Sequence, residues 1–301
     1  MRFQVMAKSA HDLQRRAESI ALPFSSLLIA AQRVAASVLQ GVHGRRRSGP
    51  GETFWQFRRY QPTDAVSLID WRQSAKSQRV YVREQEWEAS QSIWLWCDRS
   101  PSMNYHSKAA LESKAIRAKL LLLALASLLL RAGEQVGLVQ YGGKPLRGNG
   151  ALPRLAEAIT GQDEVPRTST PPRMKLPRHA QVVLISDFLE PPGDLQGIIK
   201  WFAGQGLAGH LVQVLDSAEE TLPFTGRARF VGLEGEGEAV IGRVETVRAD
   251  YSKRLALHRE NLSAITSRAG WNFLSHRTDR PPEMALLSLY LTLSGSLGRL
   301  P

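Results

Sequence analysis

The stretch that decides the fold is Ser92–Met103, which reads SIWLWCDRSPSM. Five apolar residues, ending at Cys97, lead into Asp98, and serines follow at positions 100 and 102. A short apolar run closed by a polar turn predicts a buried strand, in which Cys97 is a core residue. The carboxylate of Asp98 and the hydroxyls of Ser100 and Ser102 are hard oxygen donors, which predicts a site for Mg²⁺ or Mn²⁺.

A structural explanation of the same residues stays open, because Asp and Ser also cap helix N-termini at turns between strands and helices. The apolar run Gln181–Ser186 favours the metal site, since it too ends at an aspartate, Asp187. Ligands bind beyond the carboxyl ends of parallel strands, so Asp98 and Asp187 are expected at one edge of a sheet. No histidine or cysteine joins these donors, which argues against zinc.

Around this stretch, strands alternate with helices, and the pattern predicts an α/β fold with a mainly parallel sheet and helices on both faces. The expected organisation is an N-terminal helical segment over residues 1–44, then a small β-rich α+β module over residues 45–90. The sheet domain follows over residues 91–301. A glycine-rich run near residues 226–243 predicts a β-hairpin inserted in that domain.

Composition limits the function classes. The chain has 301 residues, 43% of them apolar, with one cysteine and a formal charge of +11. A single cysteine excludes an internal disulfide framework and fits a reducing compartment, so the cytoplasm is expected. The surface attracts anions, but no nucleic-acid-binding motif accompanies the basic residues, so no nucleic acid is expected. The apolar run Leu120–Leu130 has eleven residues, too few to span a bilayer.

The Asp98-Arg99-Ser100-Pro101-Ser102 loop resembles the metal-ion-dependent adhesion site of von Willebrand factor A domains. This resemblance implies a von Willebrand factor A-like, Rossmann-like fold for the sheet domain. It also implies that Asp187 is the site's final aspartate and that a threonine on a separate loop, Thr168 or Thr170, completes it. Phe188 follows Asp187 where many such sites have glycine.

A second tract, over residues 59–76, resembles the signature of the bacterial "domain of unknown function 58" family. The tract precedes the Asp98 loop by an interval similar to that in the family. We expect its residues to be structural and Trp71 to be buried. The matching positions are Arg59, Tyr60, Pro62, Asp64, Ile69, Asp70, Trp71, Ser74, Ala75 and Lys76.

Together these patterns predict a non-enzymatic interaction protein or adaptor. The resemblance implies work with a MoxR-type AAA+ ATPase in the assembly or maturation of another protein complex. The alternative is a metal-dependent hydrolase, a phosphatase or a nuclease, acting on an anionic substrate. Against it, Ser100 stands where a dehalogenase-type phosphatase needs a second aspartate. The chain also lacks the nucleotide-binding loop of an ATPase.

Overall fold

The computed structural model describes residues 27–39, 54–61, 69–76, 79–85, 91–148, 150–161 and 168–297. Two compact units make up the chain: residues 45–90 form the smaller, and residues 1–44 with 91–301 form the larger. In chain order the described elements are α1 (residues 27–39), β1 (Phe54–Arg59), α2 (Trp71–Ser74), β2 (Tyr81–Gln85), β3 (Ser92–Cys97), a 3-10 turn (Pro101–Asn104), α3 (Lys114–Arg131), β4 (Gln135–Leu138), α4 (Ala151–Thr160), β5 (Gln181–Ser186), α5 (Pro192–Ala203), β6 (Ala208–Leu215), α6 (Ser217–Thr221), β7 (Ala228–Val231), β8 (Glu238–Ile241), α7 (Val244–Arg268), β9 (Asn272–Arg277) and α8 (Pro282–Leu297).

The larger unit is built on a five-stranded sheet in the order β4-β3-β5-β6-β9. Every neighbouring pair in this sheet is parallel, so the predicted mixed α/β fold with a parallel sheet is confirmed. From β3 the chain goes first to β4 on one side and then to β5 on the other. The strand order therefore reverses between β3 and β5. The connections that follow these two neighbouring strands run to opposite sides of the sheet, and a crevice forms between them.

Side chains of β3 alternate between the two faces of the sheet, as a strand requires. Ile93 and Leu95 belong to one cluster of buried side chains, together with residues of α1, α3, α4 and α8. Trp94 and Trp96 belong to a second cluster with residues of α5 and α7. Helices thus cover both faces, as predicted. Among the described helices, none combines the length and the apolar character needed to cross a membrane.

Helix α3 starts later than its sequence indicates, because residues 107–131 are rich in Ala, Leu and Lys throughout, a composition typical of a helix. The helix begins at Lys114, where Ser113 accepts a hydrogen bond from the Ile116 N–H as N-cap. Upstream, the Ser107 N–H donates to a carboxylate oxygen of Asp216 at 2.9 Å. This backbone donor is satisfied by a residue 109 positions away, so the segment before α3 is held outside the helix.

In the smaller unit, β1 and β2 pair antiparallel, with Arg59 opposite Tyr81. Asp70 caps the single turn of α2 by accepting from the Gln73 N–H at 2.9 Å. The Ser74 hydroxyl accepts from the Tyr81 N–H at 2.9 Å and so ties α2 to β2. Asp70 and Ser74, two residues of the resembled signature, therefore build a corner of the unit.

The expectation that Trp71 is buried is wrong, because 64% of its surface is exposed. Helix α2 has four residues and buries none of them, since one turn is too short to form an apolar face. Tyr60 and Ile69 are half-buried, and Ala75 and Lys76 are exposed. Pro62 and Asp64 lie outside the described residues.

Candidate functional site

The centre of the candidate site is the carboxylate of Asp98, directly after β3. Only 1% of this residue is exposed. One carboxylate oxygen accepts from the Ser100 N–H at 2.7 Å, and the other accepts from the Ser186 hydroxyl at 2.5 Å. Burial raises the pKa of Asp98 to about 6, against these hydrogen bonds, which lower it. Near neutral pH the site therefore holds a buried negative charge that a cation would compensate.

Two hydroxyls lie beside one another on the same loop. The Oγ atoms of Ser100 and Ser102 are 3.0 Å apart and form a hydrogen bond with one another. The 3-10 turn that begins at Pro101 holds them there, with the Met103 N–H donating to the Ser100 carbonyl at 3.2 Å. Two adjacent oxygens on an octahedral Mg²⁺, each about 2.1 Å from the ion, are about 3 Å apart. The hydroxyl pair thus has the spacing of two neighbouring magnesium ligands.

Of the two candidate threonines, Thr170 lies beside the strand ends. It lines a small cleft together with Ser186 and Asp187. Thr168 borders a neighbouring cleft that also contains Arg99, and its hydroxyl donates to the Thr170 carbonyl at 2.9 Å. Thr170 therefore borders both clefts, one of them at the β5 end of the site, and the Thr168 hydroxyl holds the backbone of its own loop.

Asp187 ends β5, next to Asp98, because β3 and β5 pair with Cys97 opposite Ile185. Its carboxylate accepts a hydrogen bond from the Lys114 ammonium at 2.8 Å. The same ammonium donates to Glu219 at 2.5 Å, and Lys114 has no exposed surface. Asp187 is thus at the predicted edge, but its carboxylate is already paired with a cation of the protein itself.

The charges of its two carboxylate partners keep Lys114 protonated. Burial acts to lower the pKa of Lys114, but the charges of Asp187 and Glu219 outweigh it, and the pKa is raised. Burial raises the pKa of Glu219, against the Lys114 charge, which lowers it. Lys114 is shared by Asp187 and Glu219, whereas the described ion pairs leave the Asp98 carboxylate without a cation.

The turn after β5 carries backbone strain. Phe188 has a φ of 47°, in the left-handed region that costs a residue with a Cβ about 1–2 kcal/mol. This is the position where glycine is common in the resembled sites. Here the turn is stabilised by contacts of Phe188, which is buried and whose carbonyl oxygen lies 2.6 Å from His258 Nε2.

Sequence reasoning missed four side chains that contact the predicted residues or the partners of those residues. Ser186, next to Asp187 in sequence, could have been included as a hydroxyl at a strand end. Lys114 carries a weaker signal, a cation at the start of a helix, where the helix dipole disfavours it. Glu219 and Glu234 come from elements more than 100 residues from the contacts that they make, so no local pattern could identify them.

The donor types restrict the metals that would fit. Within the described part of the chain, no three His, Cys, Asp or Glu side chains are placed to hold a metal ion together. A cation at Asp98 would therefore depend on serine and threonine hydroxyls and on water. Such a donor set fits Mg²⁺ or Mn²⁺ and does not fit zinc.

The chain is similar to a known protein family, to curated proteins and to solved structures. The model of the family described as "Protein of unknown function DUF58" matches residues 56–261. The uncharacterized proteins Rv1480 of Mycobacterium tuberculosis and Mb1516 of Mycobacterium bovis are each 24% identical over 277 residues, which cover 87% of this chain and 86% of theirs. The crystal structure of the conserved hypothetical protein BatB from Bacteroides thetaiotaomicron has 14% identity and a TM-score of 0.42, covering 70% of this chain and 100% of that one.

Proposed function

The chain belongs to the family of proteins of unknown function DUF58, and from this premise we propose that it is a non-enzymatic adaptor that binds other proteins through a cation. In this proposal the larger unit is a von Willebrand factor A-like domain that works in the cytoplasm. Asp98, Ser100 and Ser102 hold Mg²⁺ or Mn²⁺, with Thr170 beside them and Asp187 in the outer shell. A carboxylate of the partner completes the coordination of the ion.

The observation that carries the proposal is the 3.0 Å spacing of the Ser100 and Ser102 hydroxyls next to the buried carboxylate of Asp98. Strand order supports it, because the loop lies where the order of the sheet reverses, the usual place for a ligand in such sheets. The pairing of Asp187 with Lys114 supports an outer-shell role, since that carboxylate is already satisfied.

The proposed partner is a MoxR-type AAA+ ATPase, or a client protein that matures with its help. This part of the proposal rests on the resemblance to the family. The formal charge of +11 is compatible with it, because a basic surface speeds the approach of an acidic partner. A site with one free carboxylate lacks the carboxylate density of two-metal hydrolases, so the interaction role is the one we put forward.

The metal part is tested by titrating Mn²⁺ into the wild type, Asp98→Ala and Ser100→Ala in a calorimeter. We expect one binding event in the wild type and none in the two variants, because they remove the charge and one hydroxyl ligand. Asp194→Asn is the matched control, since this carboxylate is exposed at the start of α5. Identical isotherms for the wild type and Asp98→Ala would refute the cation site.

The partner part is tested by co-purification from the native host with the wild type, the wild type plus a chelator, and Asp98→Ala. We expect the ATPase with the untreated wild type alone. Equal recovery in all three samples would mean that the partner docks elsewhere. Recovery of DNA or RNA in place of the ATPase, with a steep salt dependence that survives chelation, would replace the adaptor with a nucleic-acid role.

A further inference from the structure

The hairpin of β7 and β8 reaches from the helical layer to the candidate site. Its strands pair from Ala228 opposite Ile241 to Val231 opposite Glu238. Its base is fixed, because the Gly226 N–H donates to the Glu245 carboxylate of α7 at 2.7 Å. The tip, residues 232–237, lies beyond the paired strands and is closed by the Gly232 N–H, which donates to the Gly237 carbonyl at 2.8 Å.

One side chain of this tip contacts the Asp98 loop. A carboxylate oxygen of Glu234 accepts a hydrogen bond from the Ser102 N–H at 3.3 Å. Ser102 supplies one of the two paired hydroxyls, so the Glu234 carboxylate lies at the rim of the proposed cation site. This distance is slightly beyond the usual range of roughly 2.7–3.2 Å for an N–H···O hydrogen bond, so the contact is weak enough for another ligand to displace it.

The conformation of the tip presents Glu234 outward on a tight turn. The Glu234 N–H donates to the Glu236 carboxylate at 2.9 Å, which folds the turn back on itself. Gly235 and Gly237 have φ values of 91° and 89°, a backbone conformation that glycine adopts without strain. Residues 231–240 contain three glutamates and no basic residue, so this segment is acidic within a basic chain.

Resting on the proposed function, we infer that the site recognises a glutamate presented on a glycine-flanked turn, and that the Glu234 tip is an internal copy of that ligand. The tip covers the Asp98 loop, and an acidic segment of the partner must displace it. Because the tip is tethered, its effective concentration at the loop is in the millimolar range. A weak internal contact is therefore enough to exclude weak or unrelated carboxylates.

The test uses a labelled synthetic peptide of residues 230–239, FVGLEGEGEA, as the acidic ligand in the presence of Mn²⁺. Its affinity is measured by fluorescence anisotropy for the wild type, Glu234→Ala and Glu238→Ala. We expect the peptide to bind Glu234→Ala at least tenfold more tightly than the other two. Glu238→Ala is the matched control, because it removes the same charge from the same hairpin; Glu238 pairs with Arg229 at the exposed surface, and such a pair contributes little to stability.

A second measurement needs no metal. Amide hydrogen exchange at Ser102 is expected to be several-fold faster in Glu234→Ala than in the wild type and in Glu238→Ala, since the N–H loses its acceptor. Equal exchange rates, or equal peptide affinities in proteins that bind Mn²⁺, would overturn the inference. If the wild type binds no Mn²⁺, the proposed cation site fails first, and exchange at Ser102 still decides whether the tip covers the loop.

Discussion

At the residue scale, a row of polar side chains crosses the sheet near the amino ends of its strands. The side-chain amide of Gln181 donates to the side-chain oxygen of Gln91 at 3.1 Å. His210 Nε2 lies 3.2 Å from the side-chain oxygen of Gln181. Asn272 Nδ2 lies 3.5 Å from the other ring nitrogen of His210. With an amide donor facing one ring nitrogen and an acceptor facing the other, this row suits the neutral imidazole. Burial lowers the pKa of His210 to about 4.

This low pKa predicts a pH dependence of stability. Between about pH 6.5 and 4 the unfolded chain binds a proton at His210 and the folded chain does not, so stability falls as the pH falls through this window. The expected loss by pH 4 is about 3 kcal/mol, from a shift of roughly 2.5 pKa units. His210→Gln should lack this contribution. Urea unfolding of both proteins at pH 7 and pH 4 measures it, and parallel losses of stability in the two would contradict the assignment.

Some residues of the candidate site could be placed from sequence patterns and others could not. The position of Asp98 and Asp187 at one edge of the sheet was predictable, because each directly follows an apolar strand and parallel strands end at one edge. Lys114 was not, because its role depends on where helix α3 starts. That start is fixed by contacts with residues distant in sequence, which no local pattern contains.

At the scale of elements, strand β6 makes room for a large side chain that lies just before strand β9. A Cβ built on Gly209 would lie 2.2 Å from the indole of Trp271, far inside contact distance. Trp271 is buried, and its ring N–H donates to the Leu207 carbonyl at 3.1 Å. The glycine is thus required for space, and the tryptophan has a fixed position above it.

We therefore expect Gly209→Ala to lower the free energy of unfolding by about 1–3 kcal/mol, the usual cost of overpacking a core. Gly193→Ala is the matched control in the first turn of α5, where an added Cβ meets no atom within 4 Å. That variant should be neutral or more stable by up to about 1 kcal/mol. Denaturant unfolding compares them, and a Gly209→Ala protein as stable as its control would show that the indole moves aside easily.

Helices and strands were predictable from the sequence where one or both of their faces are apolar. Strands β3 and β5, and the alternation of strands with helices around them, were recognised from apolar runs and helical periodicity. The one-turn helices α2 and α6 were not, because four or five residues carry no period. Helix α7 begins at Val244 after Arg243, whose side chain makes no capping hydrogen bond, so no capping residue in the sequence marks that start.

At the scale of the whole molecule, the larger unit is discontinuous in sequence. Helix α1 supplies Ala31, Val34, Ala35 and Val38 to the same buried cluster as α3 and α8, and residues 45–90 lie between it and β3. The periodicity of α1 predicted a helix but could not indicate which apolar surface it would cover, since many surfaces suit a short stripe of Ala and Val.

Replacing one buried residue of α1 tests this arrangement. Val34→Asp should destabilise the larger unit by about 3 kcal/mol or more, because it buries an unpaired charge in the core. Gln32→Asp places the same charge on the exposed side of the helix and should change stability by less than about 0.5 kcal/mol. Urea unfolding followed by tryptophan fluorescence gives both values. Equal midpoints for the two variants would mean that α1 contributes little to the core.

The shared cluster of α1 and α8 also governs how the protein can be made. During translation, α1 is synthesised more than 200 residues before Leu286 and Leu293 of α8, which belong to the same cluster. Contacts between residues so distant in sequence form slowly, and apolar surface exposed meanwhile promotes aggregation. The apolar stripe of α1 therefore stays unpaired with α8 during most of translation. The yield of folded protein in the cell should consequently depend on chaperones that bind nascent chains.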